Sequence, residues 1–427
     1  MRIVQLTPGT GNFYCGTCLR DNALVAALRR QGHDAVLLPM YLPHFVDEES
    51  VAEDAPLFFG GVNVYLQQKS AFFRRTPAWV DRWFDAPALL KRAARRTGMT
   101  SARDLGEITL SMLLGEHGRQ AKEIEKVVAW LSRPENRPDI VSLSNGLLIG
   151  LARRIRETLK VPVVCTLQGE DSFLDALPEP DRCWQALREC AADASLFVPV
   201  SRSYGEVMRQ RMLLAPERLE VVYNGINLDG YAPAASGPPQ TPVIGFLARM
   251  HPTKGLEALV DAFIRLKTGG RCAGARLRVA GGQTPEDAVF VGRLQERLRA
   301  AGCGECAEFL PNLDRAEKQA FLRTLSVLSV PATYGESFGL YLLEALASGV
   351  PVVQPASGAF PELVEATGGG FIYPTGGAEA LAAALETALA DPAKLAALGR
   401  CGMQAVHERF TSETMARDYA KACARVL

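Results

Sequence analysis

Residues 2–38 read RIVQLTPGTGNFYCGTCLRDNALVAALRRQGHDAVLL, and this segment indicates the fold class. The apolar strand IVQL is followed by a glycine-rich turn and then by an amphipathic helical pattern from about Asp21 to Arg30. Gly32 ends that helix, and a second apolar strand, AVLL, follows. A strand, a helix and a strand in this order predict a βαβ unit with parallel strands.

The same alternation continues along the chain. After an irregular stretch from about 43 to 116, helices are predicted near 117–132, 146–158 and 181–193, each followed by a short apolar strand, and a further helix leads to the strand LEVVYN. The pattern restarts at VIGFLA, with helices near 254–267, 286–301 and 338–347. Short apolar strands separated by helices are typical of parallel sheets that are covered on both faces.

The domain organisation follows from a break in this alternation. Residues 231–242, YAPAASGPPQTP, contain four prolines and little apolar surface, so they are the predicted linker. The predicted fold is α/β, with two doubly wound, Rossmann-like domains at 1–230 and 243–410 that face a central cleft. Ligands of such sheets bind outside the carboxyl ends of the strands, and we therefore expect the active site in the cleft.

Composition restricts the function classes. The 427 residues are 48% hydrophobic and 22% charged, which is typical of a globular protein and not of a disordered one. The 47 basic side chains equal the 47 acidic ones, and this neutrality argues against a protein that coats nucleic acid. No signal sequence and no apolar run of membrane-spanning length is apparent, so the sequence predicts a cytoplasmic protein.

Two glutamates stand out in the segment TYGESFGLYLLEALASG, residues 333–349. Glu336 follows a strand, and Glu344 lies eight positions later in a helix for which Ser337 is the predicted N-cap. Eight helical residues rise about 12 Å, which is comparable to the span of a nucleotide sugar from ribose to hexose. The N–H groups that begin such a helix favour a phosphate; they would belong to Phe338, Gly339 and Leu340. An ordinary amphipathic helix with a surface glutamate is the alternative.

A second cluster lies in GFLARMHPTKGLEALVDAF, residues 245–263. Arg249 is predicted to end a strand, and Lys254 to begin a helix with apolar residues at helical spacing. A cation in a first helical turn opposes the helix dipole, whereas a diphosphate bound beside it would reverse that effect. Arginine offers a planar fork and lysine a point charge, which together suit two phosphates. Two solvated surface cations are the alternative interpretation.

Together these residues resemble the donor-site signature of the retaining glycosyltransferases of family four, which have the GT-B fold. The signature consists of Arg249 and Lys254, and then of Glu336 and Glu344 separated by seven residues. The resemblance extends to Gly32-His33, to NGI at 224–226 and to GVPVV at 349–353, and it is stronger in the second half of the chain. It implies a C-terminal donor-binding domain, an N-terminal acceptor-binding domain and a final helix, about 411–427, that packs back onto the first domain.

The resemblance also implies roles for these residues. Arg249 and Lys254 would hold the donor diphosphate, Glu344 the ribose, and Glu336, with Ser337 and the 338–340 backbone, the donor sugar. The implied reaction is transfer of a hexose from a UDP-, GDP- or ADP-sugar to an acceptor hydroxyl, with retention of configuration and by a front-face route. Neither a metal ion nor a cofactor besides the nucleotide sugar is implied.

The first half of the chain departs from the family pattern. Where many relatives carry histidines, this sequence has Ser142, Ser144 and Asn145 after one strand and Gln168, Gly169, Glu170 and Asp171 after the next. The candidate acceptor-side residues are therefore Gln168, Glu170, Asp171 and Asn145, although Glu170 or Asp171 could instead cap the following turn. In the first loop the GxGxxG pattern fails at Tyr14, and Gly16 is a candidate for close contact with the donor.

Other features leave further interpretations open. Residues 71–96 carry seven Lys or Arg against two Asp, a local charge of +5, with aromatic residues interspersed. They predict either a helical insertion or a peripheral contact with an anionic membrane, where an acceptor could be lipid-linked. The CGTC sequence at 15–18 allows a thiol oxidoreductase as a second function class. A non-catalytic nucleotide-sugar-binding protein is the third.

Overall fold

The computed structural model describes residues 1–9, 16–42, 44, 46–52, 58–59, 67–68, 102–235, 237, 239–269 and 272–427. The basic segment at 71–96 and Cys15 of the CGTC sequence lie outside these ranges. The chain divides into two units: Met1–Tyr223 with Ser412–Leu427 form unit 1, and Asn224–Thr411 form unit 2.

Unit 1 is built on a five-stranded parallel sheet in the order β2-β1-β3-β4-β5. Val4, in the second strand of this order, pairs with Val36 on one side and with Val141 on the other. The strands are β1 Arg2–Thr7, β2 Asp34–Pro39, β3 Ile140–Leu143, β4 Val163–Leu167 and β5 Leu196–Pro199. The helices that follow or separate them are α1 Gly16–Arg30, α2 Ala102–Leu113, α3 Ala121–Leu131, α4 Ala152–Leu159, α5 Glu170–Asp175, α6 Pro180–Ala191 and α7 Arg202–Met212.

Unit 2 is built on a six-stranded parallel sheet in the order β11-β10-β9-β6-β7-β8. Its strands are β6 Val243–Leu247, β7 Arg276–Gly281, β8 Ala307–Pro311, β9 Val327–Leu328, β10 Val352–Pro355 and β11 Gly370–Tyr373. Its helices are α8 Leu256–Thr268, α9 Ala288–Ala300, α10 Arg315–Leu322, α11 Leu340–Ala347, α12 Phe360–Thr367, α13 Gly377–Leu389 and α14 Pro392–Arg409. The predicted pair of doubly wound α/β units is confirmed.

The strand order of unit 2 identifies where a ligand can bind. The chain runs from β6 outward through β7 to β8 and then returns to β9 on the other side of β6. At such a reversal the loops leaving the two neighbouring strands diverge and leave a crevice at the carboxyl ends of the strands. In unit 2 the reversal lies between β6 and β9, and in unit 1 it lies between β1 and β3.

The last helix, α15, spans Ser412–Ala424 and belongs to unit 1. Tyr419 and Met415 of α15 are buried in the same hydrophobic cluster as Leu24 and Leu28 of α1. At the edge of this contact, Arg30 Nη2 lies 2.6 Å from Glu413 Oε1. Apolar burial therefore attaches the end of the chain to its first helix.

Apart from shifted helix ends, two predictions differ from the structure. Helix α2 occupies part of the stretch expected to be irregular, and its Gly106 lies against Pro178, where a Cβ atom would be 3.0 Å from the proline ring. The segment LEVVYN adds no strand: it makes an isolated bridge between Leu219 and Phe197. The segment is too briefly paired to extend the sheet beyond β5.

The division between the units precedes the predicted linker. It falls after Tyr223 because the next residues are attached to unit 2. Arg315 donates hydrogen bonds to the carbonyls of Asn227 and Asp229, each over 3.1 Å, and the side chain of Tyr231 is buried. The proline-rich residues 231–242 therefore lie within unit 2.

No helix in the described ranges is long and apolar enough to cross a membrane.

Candidate functional site

The loops leaving β6 and β9 bring three of the predicted residues to the crevice of unit 2. Arg249 lies two residues beyond β6, and Lys254 ends a short 3-10 helix, Pro252–Lys254, that precedes α8. Glu336 lies in the loop after β9, and Thr333 of that loop donates its N–H to the Thr253 carbonyl over 2.9 Å. The two loops are therefore hydrogen-bonded to each other beside Lys254.

Glu336 is held by three donors on one of its oxygens. Lys254 Nζ lies 2.5 Å from Glu336 Oε2, and the hydroxyls of Tyr341 and Tyr334 donate to the same oxygen over 3.0 and 3.2 Å. Within the described part of the chain, no donor contacts Oε1. Glu336 is 8% exposed, so its carboxylate is anchored on one side and retains a restricted opening on the other.

The environment of Lys254 keeps its ammonium charged. Burial alone would lower the pKa of Lys254, but the neighbouring Glu336 and Tyr334 outweigh it and raise that pKa above its ordinary value. The ammonium also lies 4.9 Å from the ring centre of Tyr334 and 5.8 Å from that of Tyr341, within the range of cation–π attraction. Lys254 is thus a partly buried cation with a carboxylate and two aromatic rings around it.

Arg249 is held by a carboxylate that sequence analysis missed. Its Nε and Nη2 atoms lie 3.2 and 3.3 Å from the two oxygens of Asp287, which directly precedes α9. Burial opposes ionisation of Asp287, but hydrogen bonds from Thr284 and Arg249 lower its pKa below the ordinary value. The guanidinium remains half exposed, so it is oriented by Asp287 and still accessible to an anion.

Glu344 is anchored in the same manner as Glu336. Lys318 Nζ and the Tyr231 hydroxyl each lie 2.7 Å from Glu344 Oε1, and no donor in the described ranges contacts Oε2. Lys318 comes from α10, and Tyr231 from the beginning of unit 2. Each glutamate of the predicted pair therefore has one oxygen fixed by a lysine and tyrosine and the other without a hydrogen-bond donor.

The helix that carries Glu344 begins later than predicted. Helix α11 begins at Leu340, and its N-cap is Gly339 with φ 90°, not Ser337. A Cβ atom at position 339 would lie 3.3 Å from the Tyr341 ring, and the positive φ there suits glycine. Glu336 consequently lies in the loop, and the 12 Å spacing expected for one continuous helix does not apply. The N–H groups of Gly339 and Leu340 donate to no acceptor in the described part of the chain.

A glycine after β10 allows the loop around Glu336 to pack closely. Ala359 donates its N–H to the Glu336 carbonyl over 2.9 Å. Gly358 has φ 55°, and a Cβ atom there would lie 2.4 Å from that carbonyl oxygen and 2.5 Å from the Glu336 nitrogen. A side chain at 358 would displace the Glu336 backbone.

We expect Gly358→Ala to destabilise unit 2 by about 1–3 kcal/mol more than a glycine substitution without a clash. Gly302→Ala is the matched control, because Gly302 also has positive φ, 71°, but has no atom within 4 Å of the added Cβ. Thermal unfolding of both variants measures the difference. Equal losses of stability would show that the contact with Glu336 imposes no constraint.

In unit 1 the structure gives Glu170 a structural position. It is 3% exposed, and its Oε1 accepts the Gly146 N–H over 2.7 Å. Its Oε2 accepts the Gln168 N–H over 2.9 Å and the Tyr204 hydroxyl over 2.8 Å. Burial raises the pKa of Glu170, and these hydrogen bonds counteract that effect. Glu170 therefore links the ends of β3 and β4 and leaves little surface for an acceptor.

The other acceptor-side candidates lie at the same edge of the sheet. Asn145 caps a 3-10 helix by accepting the Leu147 N–H over 3.1 Å, and Gln168 donates to the Ser144 carbonyl over 2.6 Å. Asp171 is the second residue of α5 and is partly exposed. Gly16 is the exposed first residue of α1, and the loop before it lies outside the described residues. Asp171 is the one carboxylate among these four residues, and it is more exposed than Glu170.

The residues that sequence analysis missed share one property. They hold the predicted residues in place and come from several separate segments: Tyr231, Asp287, Lys318, Tyr334, Tyr341 and Gly358. The signals in the sequence are weak: Asp287 is of a residue type that often caps helices, and Tyr334 and Tyr341 lie on either side of Glu336 in the sequence. Among the described residues, no three His, Cys, Asp or Glu side chains lie together as a metal site would require.

Two protein-family models match most of the chain between them. The model described as Glycosyltransferase Family 4 matches residues 60–229, and the one described as Glycosyl transferases group 1 matches residues 233–404. The second range contains Arg249, Lys254, Glu336 and Glu344. Among curated proteins, a D-inositol 3-phosphate glycosyltransferase of a Mycobacterium strain, KMS, is 33% identical over 157 residues. That alignment spans 35% of this chain and 34% of the relative, about a third of its length.

Solved structures resemble the whole chain. Sucrose-phosphate synthase from Thermosynechococcus elongatus matches with a TM-score of 0.73 at 18% identity, over 100% of this chain and 99% of that one. Anabaena HepE in complex with UDP and glucose matches with a TM-score of 0.72 at 18% identity, over 99% of both chains. At such identities the matches establish the fold alone.

Proposed function

The chain belongs to the family-four glycosyltransferases with the GT-B fold, and we propose that it transfers a hexose from a nucleoside diphosphate sugar to an acceptor hydroxyl. The observation that carries this proposal is the arrangement of Glu336 and Glu344. Each carboxylate is anchored on one oxygen, and its other oxygen can accept a hydroxyl hydrogen bond. Such an arrangement suits the two sugars at the ends of a nucleotide sugar. A thiol oxidoreductase and a binding protein without activity are not favoured by the family.

In this proposal the diphosphate lies between the two glutamates. Arg249, oriented by Asp287, binds one phosphate through its accessible edge, and Lys254 binds the other as a point charge. The N–H groups of Gly339 and Leu340 at the beginning of α11 add donors for a phosphate. Glu344 binds the ribose and Glu336 the hexose.

The proposed reaction proceeds with retention of configuration and without a metal ion. The bond between the anomeric carbon and the diphosphate oxygen breaks, and its electron pair leaves with the diphosphate. The acceptor oxygen bonds to the same face of that carbon, and its proton passes to the departing phosphate oxygen. Arg249 and Lys254 stabilise the charge that develops on the diphosphate.

The proposed base is uracil, because the similar HepE structure contains UDP, and the proposed acceptor-binding part is unit 1. Asp171, Gln168 and Asn145 are its candidate contacts at the carboxyl ends of β3 and β4. The acceptor is proposed only as a hydroxyl compound. Residues 71–96, which would provide a membrane contact, lie outside the described residues.

A thermal-shift panel of UDP, GDP and ADP tests the donor proposal. A nucleotide at 100 times its dissociation constant should stabilise the protein by about 2.7 kcal/mol. We expect the largest stabilisation with UDP, and it should persist in EDTA. Stabilisation by GDP or ADP alone would overturn the choice of base, and no stabilisation by any of the three would contradict the proposed function.

The stereochemical proposal needs a separate measurement. Proton NMR of the product formed from UDP-glucose and an accepted alcohol, or from methanol as a surrogate acceptor, reports the anomeric configuration. We expect the α-configuration of the donor to be kept. A β-linked product would contradict retention without contradicting glycosyl transfer.

A further inference from the structure

The hydroxyl of Tyr341 is one of three donors to Glu336 Oε2, and it lies outside the four-residue signature. Tyr341 is the second residue of α11, so its backbone is fixed by the helix, and its hydroxyl lies 3.0 Å from Oε2. Burial is the main cause that raises the pKa of Tyr341 well above its ordinary value, and the negative charge of Glu336 adds to it. The phenol therefore stays protonated and can donate to the carboxylate throughout the physiological pH range.

The second donor, Lys254, has two roles that compete. In the proposed function it binds the diphosphate, yet in this structure its ammonium lies 2.5 Å from Glu336 Oε2. A diphosphate that attracts the ammonium would weaken its contact with Glu336. The carboxylate would then need other donors to keep its orientation.

We propose that Tyr341 is a positioning residue that holds Glu336 towards the hexose when Lys254 engages the diphosphate. Tyr334 assists, since its hydroxyl contacts both Lys254 and Glu336. The inference rests on the proposed function, because Glu336 acts on the hexose only if a sugar nucleotide binds. Tyr341 acts through Glu336 and needs no contact with the sugar.

Two ligands that differ only in the hexose separate this role from a general effect on folding. Isothermal titration measures the dissociation constants of UDP and UDP-glucose for wild type and Tyr341→Phe. The dissociation constant of UDP should change less than about twofold, whereas that of UDP-glucose should rise about tenfold, as expected for loss of a hydrogen bond to a charged group. UDP release from saturating UDP-glucose, with methanol as the surrogate acceptor of the glucosyl group, should fall by at least a similar factor.

The matched control is Tyr373→Phe: Tyr373 is a buried tyrosine of β11 in unit 2, and among the described residues no hydrogen bond joins it to Glu336. It should leave both dissociation constants and the release rate unchanged. Equal weakening of UDP and UDP-glucose in Tyr341→Phe, or wild-type values for both, would overturn the positioning role alone. Wild-type protein that binds neither ligand would overturn the proposed UDP-sugar donor and, with it, this inference.

Discussion

Glu336→Gln should reduce UDP release from UDP-glucose, with methanol as the surrogate acceptor, by about 100- to 1,000-fold, the loss typical of a preorganised polar group at a reacting centre. The amide keeps the size of the side chain but removes the charge that Lys254, Tyr334 and Tyr341 now surround. A neutral amide accepts weaker hydrogen bonds from a sugar hydroxyl than a carboxylate does. The NH2 group of the amide can also occupy the position of the carboxylate oxygen that would accept a hydrogen bond from the sugar hydroxyl.

The same substitution should spare nucleotide binding. Glu336 contributes to the raised pKa of Lys254, and its removal frees the ammonium from its principal counter-charge. The diphosphate of UDP can then interact with Lys254 without competition, so the affinity for UDP should be kept or increased. Isothermal titration with UDP measures this effect beside the release assay.

Glu296→Gln provides the control for a lost carboxylate. Glu296 is exposed on α9, so its substitution should leave both UDP release and UDP affinity at wild-type values. Glu336→Gln protein that releases UDP at the wild-type rate would reject the assigned role of Glu336. A folded variant that has lost both UDP binding and activity would place Glu336 at the nucleotide and not at the hexose.

The meeting of Glu336 with Lys254 could be predicted because it follows from topology. Parallel strands share one edge at their carboxyl ends, and alternation along the chain is sufficient to identify the strands that end before Arg249, Lys254 and Glu336. The donor half of the site therefore depends on local patterns that periodicity detects. The roles of these residues remain predictions for the experiments above.

The supporting contacts could not be predicted, since they depend on packing between distant segments. Lys318 and Tyr231 reach Glu344 from α10 and from the beginning of unit 2, over separations that no local pattern reports. The predicted Ser337 cap was wrong because Gly339, with a positive φ, is the N-cap, and the helix begins at Leu340. Similarly, the position of Glu170 in the sequence does not predict that four hydrogen-bond donors surround its carboxylate.

The largest effect on stability is expected in unit 1, at a charged pair that the sequence does not mark. The side chains of Arg20 and Asp21 are both 0% exposed, and Arg20 Nη1 lies 3.0 Å from Asp21 Oδ1. The Ser144 hydroxyl donates to the other carboxylate oxygen. In the described part of the chain, Arg20 Nε and Nη2 have no hydrogen-bond partner, so Asp21 is the principal compensation for a buried guanidinium.

Asp21→Asn should therefore destabilise unit 1 by about 3–5 kcal/mol, because it leaves Arg20 charged, buried and without a counter-ion among the described residues. All four tryptophans of the chain lie between positions 79 and 184. Tryptophan fluorescence during urea unfolding consequently reports the N-terminal part of the chain, even if the two units unfold separately. The shift of the urea midpoint at constant slope gives the loss of stability.

Two controls separate the buried charge from other effects of the substitution. Asp34→Asn removes a carboxylate that is 62% exposed and lies 3.5 Å from Arg2, and such a surface pair should contribute at most about 1 kcal/mol. Arg20→Met combined with Asp21→Leu removes both charges, and it should recover much of the stability lost in Asp21→Asn. If Asp21→Asn costs no more than Asp34→Asn, or if the double variant is less stable than Asp21→Asn, the uncompensated guanidinium is not the cause. Recovery in the double variant would show that Asp21→Asn loses stability because Arg20 is left unpaired, and not because the ion pair itself is lost.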